Sequence, residues 1–302
     1  MHSNKKRVYI CIRLKSLMLT TISVLSTIQS SQAIEVQTVP LANSRAVVVT
    51  VDVNKDHLQL FLKDSQGTLY QSFNAINQHL LAPQPIVQSY RTPQALHSSP
   101  KQRLQQRKQQ PTNYQTQYQK QQLIFAMNAG MFHPDYLPVG LYTEQGRELY
   151  PLNTATGNGN FFMPPNGVFL LKTTGKRPAS YTVQVISTAD FQHNTPQQIQ
   201  LATQSGPLLV YQGHINSQFN PASTSRFIRN AVGIKSSGKA VFVISEQPIN
   251  FYELANFFKH TLKIDNALYL DGTISSLYLP ALKRHDHQRL LGPMIGVTQQ
   301  VK

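Results

Sequence analysis

Asp271 stands where the run Ala267-Leu268-Tyr269-Leu270 gives way to Gly272, Thr273, Ile274, Ser275 and Ser276. Four consecutive apolar residues read as a short buried strand. A carboxylate on the last residue of such a strand is held rigidly and partly desolvated, which suits a general base or a nucleophile. Gly272 lets the chain turn sharply or lets a ligand come close. Thr273, Ser275 and Ser276 carry hydroxyl and backbone donors for an anionic or sugar ligand. The plainer alternative is that Asp271 caps the turn behind it and the serines only satisfy backbone groups.

Three other places repeat this composition. Leu123 to Met127 is an apolar strand that stops at Asn128-Ala129-Gly130, Gly157 to Asn160 reads GNGN, and Ser205-Gly206 interrupts an apolar stretch from Leu201 to Val210. Arg226, Arg229 and Asn230 precede a strand at Ala231 to Ile234, and Glu246 closes another at Lys239 to Ser245. Each alone fits ordinary turn chemistry. Together they describe loops converging on a polar ligand, with amides and hydroxyls for sugar hydroxyls and guanidinium groups for phosphate. The chain has no Gly-x-Ser-x-Gly elbow and no Walker loop. His133 with Asp135, and His285-Asp286-His287, are weak metal patterns that read better as exposed loops. No metal site or cofactor is assigned, and a divalent cation stays the open alternative.

The elements that must position these groups are many short strands and few helices. Arg45 to Val53 and His57 to Leu62 read as a hairpin across Asn54-Lys55-Asp56. Ser72 to Leu81 predicts a capped helix with Phe73, Ile76 and Leu80 on one face, and Asn250 to Glu253 a capping box opening a second helix. Pro83 to Gln122 is rich in Gln, Pro, Lys and Arg and poor in aliphatic residues, so it reads as a flexible insertion. The expected fold is α+β, a single domain with a large antiparallel or mixed sheet.

The chain of 302 residues opens on Lys5, Lys6, Arg7, Arg13 and Lys15, then an apolar run from Leu17 to Ile28, then Ser31-Gln32-Ala33. That layout predicts a signal peptide over 1–33 and an exported domain over 34–302, with no membrane span after cleavage. The one cysteine, Cys11, lies in this leader, so the remainder forms no disulfide and offers no thiolate to a metal. A formal charge of +15 favours anionic partners. Export makes nucleic acid the weakest of them and leaves an anionic envelope surface or a phosphorylated glycan.

Five segments occur in a telling order: FAMNAGMF (Phe125 to Phe132), GNGNF (Gly157 to Phe161), SGPLLV (Ser205 to Val210), RNAVGI (Arg229 to Ile234) and YLDGTISS (Tyr269 to Ser276). They resemble the phosphodiester glycosidase family of the uncovering enzyme, and within it the bacterial exported, YigE-like branch. The resemblance covers the chain from Arg45 to Val297 apart from the insertion. Thr273 and Ile274 fill positions that are glycine-rich in the enzyme branch. The resemblance implies hydrolysis of a sugar-1-phosphodiester at the anomeric carbon. Phosphate leaves readily, so one carboxylate can suffice as base or nucleophile. Asp271 is expected in that role, with Glu246 as second choice. Arg229, with Arg226, is expected on the phosphate. Asn128, Asn160 and Ser276 would orient sugar hydroxyls or water, and Gly130, Ser205, Gly206, Asn230, Gly272, Thr273 and Ser275 would line the substrate. The competing readings are a non-catalytic periplasmic binding protein for an anionic glycan or envelope polymer, and a structural envelope protein.

Overall fold

The computed structural model describes residues 34–90, 113–174 and 180–301. The expected leader lies outside the described residues, as does the middle of the Gln-rich insertion. In chain order the elements begin with β1 (Ile34–Leu41), β2 (Ser44–Asp52), β3 (His57–Phe61), α1 (Phe73–Leu81), β4 (Gln84–Tyr90) and β5 (Asn113–Gln119). There follow β6 (Gln121–Asn128), β7 (Tyr142–Glu144), β8 (Arg147–Tyr150), β9 (Gly167–Thr174), β10 (Ser180–Ser187) and α2 (Thr188–His193). Next come β11 (Ile199–Ser205), β12 (Leu208–Tyr211), β13 (His214–Ile215), β14 (Asn230–Ser236), β15 (Lys239–Ser245) and α3 (Phe251–Asn256). The last are β16 (Ala267–Asp271), β17 (Leu277–Leu279), β18 (Arg284–His285) and β19 (Met294–Gln300).

Three antiparallel sheets make the body. The first runs β1-β2-β15-β14-β16-β12-β13, the second β10-β9-β11-β7-β8 and the third β18-β17-β6-β19-β3. Strand alternation gives each sheet two faces. The inner faces meet in one core, to which the first sheet brings Val49, Val232 and Leu268, the second Phe169 and Leu201, and the third Phe125 and Val297. Each outer face is covered by one helix. The α3 segment lays Leu254, Phe257 and Phe258 on the first sheet, α1 lays Phe73, Ile76 and Leu80 on the third, and α2 lays Phe191 on the second. This is the expected α+β class with few helices.

Local signals explain the helices. Ser72 accepts from the Ala75 amide at the start of α1. Asn250 and Glu253 cap α3 reciprocally, each side chain accepting the other's backbone N–H, which satisfies two donors the helix cannot use itself. Two expectations about β structure need correcting. Strands β2 and β3 do not pair: β2 lies between β1 and β15, and β3 pairs with β19 in another sheet. The turn at 53–56 therefore carries the chain between sheets. The ends of the Gln-rich insertion are strands, β4 pairing β5 from Gln84–Gln119 to Tyr90–Asn113. Among the described residues no helix is long and apolar enough to cross a membrane.

Candidate active site

The ends of β6, β11, β14 and β16 bring three sheets to one place. Asn230 opens β14 opposite Asp271 of β16 and is fully buried. Its side-chain oxygen accepts the Asp271 amide at 2.9 Å and the Ser275 hydroxyl at 3.3 Å. Its side-chain nitrogen donates to the Asn128 backbone oxygen at 2.9 Å and to Asn128 Oδ1 at 3.1 Å. Asn128, also fully buried, accepts the Ser276 amide on Oδ1 at 2.9 Å. Two asparagine side chains thus tie the segment after Asp271 to the first and third sheets. The second sheet joins through Ser205, whose hydroxyl donates to the Leu270 carbonyl at 3.0 Å.

Close backbone approaches complete the convergence. A Cβ on Gly130 would meet Thr203 Oγ1 and the Gln204 carbonyl, so β6 and β11 can touch only with glycine there. A Cβ on Gly206 would meet the Phe161 carbonyl and Asn166, so the loop carrying Asn160 folds over the end of β11. Asn160 itself is exposed on that loop.

The pairing of β16 with β14 shifts register just before Asp271, and this bulge breaks the period-two alternation of the strand. The Asp271 carboxylate lies within electrostatic reach of both Tyr269 and Arg229. It accepts the backbone N–H of Gly272, and the amides of Thr273 and Ile274 also favour its charged form. It therefore does cap the turn behind it, as the plainer reading anticipated. Burial nevertheless raises its pKa to about 6, against the opposing pull of those amides and of Arg229. Desolvation outweighs the donors because no cation pairs with the carboxylate at contact distance; Asp271 is in none of the ion pairs among the described residues.

Arg229 is fully buried. Its Nε donates to the Ile249 carbonyl at 2.8 Å, one terminal nitrogen to the Tyr269 hydroxyl at 3.0 Å and the other to the Ser225 carbonyl at 3.0 Å. The guanidinium carbon lies 3.9 Å from the centre of the Phe251 ring, a favourable cation–π contact. Burial lowers its pKa, and Tyr269 and Asp271 oppose that shift. Arg229 is thus a fixed positive charge behind Asp271, joined through Tyr269, whose hydroxyl fills the space a Gly272 Cβ would need.

Ordered strand ends, the asparagine bridge and the carboxylate with its buried cation all fall within one matched stretch. The sequence model of the family described as phosphodiester glycosidase matches residues 121–298, more than half of the chain. The chain belongs to the phosphodiester glycosidase family. It is 43% identical over 158 residues to the uncharacterised protein YigE of Escherichia coli (strain K12), covering 52% of this chain and 59% of that protein's length. The catalytic domain of zebrafish N-acetylglucosamine-1-phosphodiester alpha-N-acetylglucosaminidase, solved auto-inhibited by its pro-peptide, shares the fold. It has a TM-score of 0.53 at 12% identity, covering 89% of this chain and 84% of that one.

Within this phosphodiester glycosidase domain the expected residues divide. Asn128, Asn230, Asp271, Ser275 and Ser276 form one hydrogen-bonded group, with Gly130, Ser205, Gly206 and Gly272 packed around it and Thr273 exposed beside it. Three assignments need correction. Glu246 is the partner of Arg45, at 3.1 Å, and follows β15, two strands across the sheet from β16. That separation is about 10 Å at ordinary strand spacing, too far to share a reacting atom with Asp271. Arg226 is paired with Glu253 at 2.9 Å. Arg229 has no exposed surface, so it is not placed to touch a phosphate directly.

Composition alone missed Tyr269 and Ser245, whose hydroxyl accepts the Arg229 amide. No local signal marked Tyr269, because its link to the site runs through Arg229, 40 residues away in sequence. Among the described residues no group of three or more His, Asp or Glu side chains is placed to hold a metal ion. Asp286, one of the weak candidates, instead binds Arg284 at 2.8 Å and accepts the Leu277 amide.

Proposed function

We propose that this protein is an exported hydrolase that cleaves a sugar-1-phosphodiester at the anomeric carbon, with Asp271 as base or nucleophile. The observation that carries the reading is the Asp271 carboxylate itself. It ends a buried strand, is desolvated to a pKa of about 6, and faces a guanidinium it does not touch. A carboxylate without a contact counter-ion keeps its basicity, and at neutral pH it is ionised and ready to act at an electron-poor carbon. The departing phosphate needs little help from an acid. The buried charge of Arg229 favours the anion as it forms, since a fixed charge in a low-dielectric wall acts over several ångströms.

Asn128 and Asn230 act one step back. They hold the Asp271 amide and the Ser275-Ser276 segment, and so fix where the carboxylate points. Family membership supports the reaction class. The name of the zebrafish enzyme, an N-acetylglucosamine-1-phosphodiester glycosidase, supports a sugar-1-phosphodiester as substrate. The leader-like residues 1–33 and the cysteine-free remainder support export to a periplasm, with a phosphorylated glycan of the envelope as substrate source.

The test is incubation of purified protein with a panel of sugar-1-phosphodiesters, with and without chelator, reading released sugar. Turnover lost in Asp271→Asn supports the assignment. Saturable binding without product would make the protein a glycan-binding module, and normal hydrolysis by Asp271→Asn would overturn the role given to this residue. The chelator arm decides whether a divalent cation takes part.

A further inference from the structure

Phe227 keeps 43% of its surface exposed. Such a ring would ordinarily fold inward or sit on a loose segment. Here the backbone is fixed on both sides. The Phe227 amide donates to the Ile249 carbonyl at 3.1 Å, and the Ile249 amide donates back to the Phe227 carbonyl at 2.8 Å. Phe227 Cβ also lies 3.5 Å from where a Cβ would stand on Gly272, the residue after Asp271. The Arg229 guanidinium carbon is 5.3 Å from the ring centre and backs the ring on one side. A pinned aromatic ring therefore stands exposed next to Gly272, the residue that follows the carboxylate, with one side supported.

We propose that Phe227 is a substrate-contacting residue: an aromatic platform that takes the apolar C–H face of the sugar whose anomeric carbon meets Asp271. This rests on the reading of Asp271 given above. The argument is one of reach. Of the two halves of a sugar-1-phosphodiester, the sugar carries the atom at the carboxylate, so the sugar occupies the space next to Asp271-Gly272 and hence next to Phe227. A pyranose presents C–H groups on its faces and hydroxyls around its edge. The negative face of an aromatic ring attracts those C–H groups while leaving the hydroxyls to polar partners. A ring already immobilised by its backbone and by Arg229 loses little freedom when the sugar lands, so most of the contact energy appears as affinity. Phe227 would then select for a ring-shaped, C–H-faced group at this position and leave the group beyond the phosphate unrestricted.

The experiment compares Phe227→Ala, Phe227→Leu, Phe227→Tyr and Ile228→Ala with the wild type. KM and kcat are read for a turned-over sugar-1-phosphodiester. Dissociation constants for the same compound are read by calorimetry in the Asp271→Asn background. The expected result is a rise of about tenfold in KM and in the dissociation constant for Phe227→Ala, an aromatic stacking effect, with kcat within about twofold. Phe227→Tyr should restore both constants, Phe227→Leu should restore them only in part, and Ile228→Ala should change neither. Unchanged constants in Phe227→Ala overturn the platform while leaving the role of Asp271 intact. If the wild type shows no turnover, the hydrolase reading fails and the calorimetry still decides the platform. Absence of binding by any variant, the wild type included, overturns the platform too.

Discussion

Asn230 accepts the backbone N–H of Asp271 on its side-chain oxygen at 2.9 Å, so the main chain of the candidate catalytic residue is held by a side chain from the neighbouring strand. The same amide group reaches Asn128 on another sheet. One residue thus sets both the position of Asp271 and the docking of two sheets. Replacing it by alanine would leave the Asp271 amide without its acceptor and remove the donor to the Asn128 carbonyl and Oδ1, although Oδ1 keeps the Ser276 amide. An unsatisfied buried group costs about 1–3 kcal/mol. Asn230→Ala should therefore lose about 3 kcal/mol of stability in urea unfolding and lose activity even under conditions where it stays folded.

Activity should depend on the protonation of Asp271. Its pKa is raised to about 6 by burial, and in the proposed reaction the acting form is the anion. A profile of log kcat/KM against pH should rise with unit slope below about pH 6 and flatten above it. A limb near the ordinary carboxylate value would show that the carboxylate is solvated and that the site is not as closed as the structure describes.

The same shift has a sign for stability. The folded protein holds the Asp271 proton more tightly than the unfolded chain, whose value lies near 3.8. The contribution is present below about pH 4 and is lost as pH rises through about 6. Asp271→Asn removes this dependence. The variant should gain stability over the wild type as pH is raised from 4 to 7, by a margin of about 1–3 kcal/mol. Thermal unfolding across that range checks the prediction.

Arg229 pulls the Asp271 pKa down against desolvation. Arg229→Gln should move the acidic limb of the rate profile upward from about 6, while Arg229→Lys should leave it close to the wild-type position. Both variants abandon some of the hydrogen bonds to Ile249, Ser225 and Tyr269, so both should unfold at lower temperature. The shift of the limb, which separates charge from packing, is the informative quantity.

Gly272 and Tyr269 should show coupling. A Cβ at 272 collides with the Tyr269 hydroxyl but stays 3.5 Å from the ring carbon that bears it. Gly272→Ala should cost stability and activity, and Tyr269→Phe should cost the Arg229 hydrogen bond. The double variant should be less damaged than the sum of the two, because removing the hydroxyl makes room for the methyl. Strict additivity in unfolding measurements would refute the contact.

Much of this arrangement could be read from residue order. The apolar run into Asp271, the strand ending at Asn128 and the capped helices at Ser72 and Asn250 each carry a local signal, and local signals survive folding. The α+β class followed from counting such segments. The failures were non-local. Strands β2 and β3 look like hairpin partners across 54–56, but β2 pairs with β15 and β3 with β19, and nothing near the turn records those distant partners. Glu246 ends a strand just as Asp271 does, and only the sheet order separates them. Arg229 reads as a phosphate ligand until its burial under Phe251 and Tyr269 is known. The end of the Gln-rich insertion did carry an alternation, with Tyr114, Thr116 and Tyr118 set between Gln115, Gln117 and Gln119, but its glutamine content hid the strand that pairs with β4.

The hydrogen bond between Asn128 and the Ser276 amide spans 148 residues of sequence, and that from Asn230 to Asn128 spans 102. Contacts of such separation close large loops and belong to the late part of a folding reaction. The strand pairings of β3 with β19 and of β2 with β15 join residues at least as far apart, so the sheets and the asparagine bridge depend on the same long-range closures. The far-ultraviolet dichroism and any catalytic signal should therefore return together in a refolding experiment, and a chain clipped before β19 should recover neither.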